Sequence, residues 1–125
     1  MRLGGRLQAA IEVLDDIENR KRPGSDALKD WGLSHRFAGA GDRAVIGNIV
    51  YDALRRKLSL GWRMDSDAAR HIAFGVLLSD AELNIEDINA ALEGDKFAPE
   101  PLDADRLAVW GTRNLTSAPD HIRAD

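Results

Sequence analysis

Apolar side chains recur along this chain every three or four residues, the spacing that gathers them on one side of a helix. Leu7, Ile11, Leu14 and Ile17, joined by Ala10 and Val13, share an arc over a first predicted helix from about Leu3 to Arg20. Pro23-Gly24 breaks it, after the basic run Arg20-Lys21-Arg22. Ser25 is placed to cap a short second helix through Trp31, which Gly32 would end. Asp42 is a good N-cap for the clearest helix, running to about Lys57, with Val45, Ile46, Ile49, Val50, Ala53 and Leu54 on one face. Gly47 lies at the edge of that face, where a missing side chain would admit a neighbouring helix. Ser59 to Met64 reads as a turn or short helix. Ser66 or Asp67 would cap a further helix that buries Ala69, Ile72, Ala73, Val76 and Leu77. Asn84, followed by Glu86 and Asp87, opens another that Gly94 closes, with the acids suited to the helix dipole. After the extended Pro99 and Pro101 comes a last short helix from Asp103 to Trp110, ended by Gly111.

No stretch alternates as a strand would, and no hairpin signal is present. The expected fold is therefore all-α: a compact bundle of about five to seven short helices over residues 1–111, with 112–125 as a linker or tail.

Composition narrows the function. The 125 residues are 44% apolar and 30% charged, enough for one packed domain. No apolar run approaches the ~20 residues needed to span a bilayer, and the start lacks a secretion signal, so neither a membrane partner nor export is expected. Cysteine is absent, which excludes disulfides, thiolate metal sites and a cysteine nucleophile and suits a cytoplasmic chain. His35, His71 and His121 fit no metal-ligand spacing and read as surface or packing residues. Ser34-His35 are neighbours without a sequence link to a carboxylate. Ala38-Gly39-Ala40-Gly41-Asp42 looks like part of a nucleotide-binding loop but follows no buried strand, so it reads as a flexible lead into the third helix. Trp31, Trp62 and Trp110 each adjoin a glycine and read as anchors of helix ends in the core.

Net charge is −4, yet it is unevenly spread. Residues 1–63 hold twelve Lys and Arg against eight Asp and Glu; residues 64–125 hold five against thirteen. Such a split points to a localised anionic partner. The basic candidates are Arg2 and Arg6 on the first helix and Arg43, Arg55, Arg56 and Lys57 on the third, with Tyr51 able to stack on or donate to RNA. Asp52 and Arg56 also form an ordinary i,i+4 helix pair. The acidic half, including Glu86, Asp87, Glu93 and Asp95, offers a different working surface, for a protein partner without RNA contact.

The segment from Gly41 to Arg56 resembles the N-terminal domain of the RsmB/Sun (Fmu) family of RNA cytosine-C5 methyltransferases, which is similar to the transcription antitermination factor NusB. Asp42-Arg43, Val50-Tyr51 and Leu54-Arg55 carry the resemblance in order and spacing; Asp52 and Arg56 depart from the family's usual Gly and aromatic residue. The opening helix and the downstream small-residue helix also fit. The resemblance implies a NusB-like bundle that holds RNA, ribosomal RNA in the first instance and not DNA, for a methyltransferase domain in cis. Asp120-His121-Ile122-Arg123 resembles the lead into that domain, so the catalytic cysteines and the S-adenosylmethionine loop would lie beyond Asp125. On this reading the chain alone is not catalytic and holds no cofactor. A stand-alone NusB-type antitermination factor, binding RNA and a protein, is the alternative.

Overall fold

The computed structural model describes residues 1–80, 82–123 and 125, and among them eight α-helices and no strand. The helices are α1 (Leu3–Arg20), α2 (Gly24–Ser34), α3 (Ala40–Arg55), α4 (Lys57–Met64), α5 (Ala69–Leu78), α6 (Ile85–Leu92), α7 (Ala104–Thr112) and the single turn α8 (Asp120–Arg123). The all-α bundle expected from periodicity is what forms.

The centre is where α1, α3 and α5 meet. Leu7, Ala10 and Val13 of α1 pack with Ile46, Val50 and Ala53 of α3 and with Ala73 and Phe74 of α5, all essentially without solvent contact. Each large side chain sealed in this way stabilises the fold by about 1.5–3 kcal/mol relative to exposure. Leu60 and Met64 of α4 close one end, and Ile88 and Leu92 of α6 another.

Several local expectations change. α2 runs through Gly32 to Ser34, and its N-cap is Pro23, with Ser25 inside the first turn. Asp42 sits at the third position of α3 instead of the cap, and from there its carboxylate accepts the Gly39 amide. Asn84 does cap α6, accepting the Asp87 amide at 2.8 Å. α5 buries Phe74 fully, while Val76 is only half-buried. Gly47 faces open space and admits no helix.

Close approach is needed at two other glycines. A Cβ on Gly4 would stand 2.6 Å from the Ala98 Cβ, so α1 can meet the loop after α6 only because that side chain is missing. A Cβ on Gly75 would stand 3.2 Å from the Trp110 ring of α7 and 3.3 Å from Leu60 of α4, so both close on α5 at this position. Trp110 is thus the buried anchor foreseen for it, whereas Trp31 and Trp62 are half-buried.

In the stretch 112–125, expected to be a linker, the described residues 112–123 and 125 fold back on the bundle. Leu115–Ser117 form a 3₁₀ turn, Ala118 and Ile122 are buried, and the Asp125 carboxylate accepts the Leu58 and Ser59 amides at the start of α4. Arg113 lies over the Trp62 indole and Arg63 over the Trp110 indole at 3.8 Å, two cation–π contacts that join α4 to the end of α7.

Candidate nucleic-acid interface

The seven residues expected to meet RNA fall into three places, not one face. Arg2 and Arg6 are committed to the protein itself. Arg2 donates to the Ala91 and Glu93 carbonyls at 3.3 and 3.0 Å, the free acceptors at the end of α6. Arg6 donates to Asp42 Oδ1 at 2.9 Å through Nε and reaches the same oxygen at 2.8 Å through Nη2. This hydrogen bond is the main reason the Asp42 carboxyl stays below the usual carboxylate range; partial burial opposes it, and the Gly39 amide and Met1 ammonium add to it.

Arg55, Arg56 and Lys57 cluster at the far end of α3. Arg55 donates to Asp52 at 2.6 Å, Arg56 to Ser79 Oγ at 2.9 Å and Lys57 to Glu18 at 3.3 Å. The pairing of Asp52 is therefore i,i+3 with Arg55, not the i,i+4 pair with Arg56. From Arg43 to Arg55 the helix advances about 18 Å, so one end of a strand would have to bridge both groups.

Arg43 and Tyr51 lie elsewhere, along the groove between α2 and α3. The stem of Arg43 runs past Gly32, whose absent Cβ would be 3.5 Å from the Arg43 Cδ. A groove of about 530 Å³ opens here between Lys29, Leu33, Arg36 and Arg43, and no carboxylate lines it. Among the described residues, none of these three cations has an ion pair or a side-chain hydrogen bond. A narrower slot continues between Trp31, Ile46 and the half-exposed Tyr51. Lys29 and Arg36 were not foreseen as ligands; the signal is that Lys29, Leu33 and Arg36 recur at i, i+4 and i+7, one side of α2 and its extension.

Across the α2–α3 loop lies a second cleft, of about 600 Å³, between Gln8, Glu12, Trp31, His35, Phe37 and Phe97. The His35 ring stacks on the Trp31 indole at 4.2 Å and meets Phe37 edge-on at 5.9 Å. Trp31 Nε1 donates to Glu12 at 3.3 Å. Phe37 and Phe97 are 73% and 66% exposed. Residues of one loop thus serve two sides: His35 and Phe37 line the aromatic cleft, Arg36 and Ala38 the cationic groove.

Two serine–histidine contacts occur. Ser34 Oγ is 3.1 Å from His35 Nδ1, but that nitrogen is closer still, 2.8 Å, to the Trp31 carbonyl, to which it donates. Ser66 Oγ is 2.7 Å from His71 Nδ1, and His71 Nε2 is 3.2 Å from Asp103 Oδ1. Ser66 also accepts the Ala68 amide, and Asp103 is the N-cap residue of α7. The chain Ser66–His71–Asp103 therefore straps the α4–α5 turn and α5 to the start of α7, and none of the clefts above opens onto it. At Asp103 burial resists ionisation, yet its own backbone amide and the nearby His71 and Arg70 outweigh that and hold the carboxyl below its ordinary value.

Among the described residues no three His, Asp or Glu side chains are grouped to hold a metal ion. No helix there is long and apolar enough to cross a membrane. No protein-family model matches the chain, and no curated protein or solved structure does.

Proposed function

We propose that this chain is an RNA-binding domain whose α2–α3 groove holds the phosphates of single-stranded RNA. The observation that carries the reading is the groove itself: Lys29, Arg36 and Arg43, without acidic partners among the described residues, around a lining with no carboxylate, in a chain of net charge −4. Among the described residues the other cations, Lys21 and Lys96 excepted, each make an ion pair or a side-chain hydrogen bond, so these three stand out as a group left for an outside anion. Tyr51 at the end of the slot supplies a ring for stacking.

Together with the resemblance carried by Asp42-Arg43, Val50-Tyr51 and Leu54-Arg55, the groove supports a role as the NusB-like accessory domain of an rRNA (cytosine-C5) methyltransferase. S-adenosylmethionine and the methyl transfer would then belong to a catalytic domain outside this chain. The part played here is positional: phosphate contacts fix the strand while another domain acts on the base.

The test is the salt dependence of binding to a labelled single-stranded oligoribonucleotide. Three phosphate contacts give a slope of log affinity against log salt near about −2. Reversing Lys29, Arg36 and Arg43 together to Glu removes both binding and slope. Retained RNA affinity in that variant would sink the reading, and salt-insensitive binding of a protein with no RNA retention would replace it with the adaptor role.

A further inference from the structure

Two sequence steps place a cation directly before an exposed ring: Arg36-Phe37 and Lys96-Phe97. They are sixty positions apart in the chain, yet Phe37 and Phe97 line the same cleft. Resting on the RNA reading above, we infer that this cleft receives an unpaired base of the bound strand between Phe37 and Phe97, with Arg36 and Lys96 beside its flanking phosphates.

Both rings are held on closed turns. Phe37 is in a turn that the Ala38 amide closes on the His35 carbonyl at 3.0 Å, and Ala38 is itself buried. The Phe97 amide donates to Asp95 Oδ1 at 3.0 Å, while Asp95 Oδ2 accepts the Gly5 amide of α1. The backbone under each ring is therefore fixed, so stacking a base on them has only the ring torsions left to order. The Lys96 ammonium lies 5.1 Å from the Phe97 ring centre, and Lys96 has no ion pair among the described residues.

Charge separates what each side can accept. The cationic groove has no carboxylate; the aromatic cleft has Glu12 and Asp95 in its lining, against Arg2, whose guanidinium serves the α6 carbonyls, and the Met1 ammonium, which is paired with Asp42. A phosphate is favoured in the first and disfavoured in the second. A flat, uncharged base suits the second, and the shared α2–α3 loop puts the two side by side. Rings alternating with cations are how single strands are held without reading their sequence.

The experiment uses the 125-residue chain and two RNA probes of equal length and charge, one an ordinary single strand and one abasic. Stacking on aromatic side chains is worth enough that Phe37→Ala with Phe97→Ala should weaken the ordinary strand by about ten- to a hundredfold. Affinity for the abasic strand and the salt slope should not change, and Phe37→Tyr should keep most of the binding. Thermal melts by circular dichroism confirm that these exposed positions leave the fold intact. Equal loss on both probes, or no loss on the ordinary strand, overturns the inference, and the second outcome would leave the cleft to a peptide. The failures are separable: if the Lys29, Arg36 and Arg43 reversal abolishes binding while the phenylalanine pair does nothing, the base cleft alone falls. If the reversal does nothing, both readings fall.

Discussion

The Asp95 carboxylate accepts the Gly5 amide at 3.1 Å, across 90 residues of sequence. The residue before α1, Arg2, offers no side-chain cap, so an acid from the loop after α6 satisfies one of the helix's free amides instead. Gly4 makes this possible by leaving room for Ala98. Asp95→Ala should cost about 1 kcal/mol, as for loss of a helix cap. Gly4→Ala should cost about 1–3 kcal/mol, as for overpacking. Urea denaturation checks both, and Gly4→Ala should also weaken RNA binding, because the loop that carries Phe97 is displaced.

Charge reversal separates the two ends of α3. Arg43→Glu should lower RNA affinity several-fold and make the salt slope shallower by about 0.7, the share of one single-strand phosphate. Arg55→Glu, whose guanidinium is taken by Asp52, should do markedly less. Fluorescence anisotropy across a salt series distinguishes the two; a larger effect from Arg55 would move the interface to the far end of the helix.

Acid should release the α1–α3 tie. Asp42 is held below its ordinary value of 3.8, so its folded-state affinity for a proton is weaker than in the unfolded chain. The stability it lends is then fully present above the unfolded value and is lost as pH falls through the lower folded one. Wild type should be more stable than Asp42→Asn near neutrality, and the gap should narrow once pH falls below the ordinary value of 3.8 and close through the lower folded one. Urea midpoints measured over that range give the answer.

Trp110 is 6% exposed, against Gly75 and under Arg63. Trp110→Ala should cost about 3–5 kcal/mol, typical of a large side chain removed from a core. Because Arg63 donates to the Trp110 and Arg113 carbonyls, loss of the ring should also loosen residues 112–123, read as faster amide hydrogen exchange there than in α1.

Lys21 ends α1 in the left-handed region, with φ 52°. That conformation strains a side-chain-bearing residue by roughly 1–2 kcal/mol, partly offset by the entropy a glycine adds to the unfolded chain. Lys21→Gly should therefore stabilise the domain by about 0.5–1 kcal/mol in the same denaturation assay.

What was legible in the sequence was what neighbours decide. α1 spans Leu3–Arg20 as its periodicity indicates, and Asn84 caps α6 through a bond three residues away. Phe74 escaped because Ile72 to Leu78 is apolar all round, and a helix buried on several sides has no stripe to read. The basic residues were legible as a charge imbalance but not as a site. Arg2 and Arg6 find their acceptors 36 to 91 positions away, while Lys29 and Arg36 join Arg43 only once α2 is laid along α3. The stretch 112–125 shows no period because two buried apolar side chains, Ala118 and Ile122, with the Asp125 carboxylate, are enough to seat its described residues.

The three indoles occupy different surroundings, and this gives the molecule an optical reporter of its own. Trp62 and Trp110 lie beneath Arg113 and Arg63, while Trp31 borders both the α2–α3 slot and the aromatic cleft. With Trp62 and Trp110 replaced by Phe, emission from Trp31 alone would follow each addition of RNA without a dye. The His35 imidazole, stacked on that indole at 4.2 Å, holds the ring at the cleft's edge, so the signal would come from the place where the strand is bound.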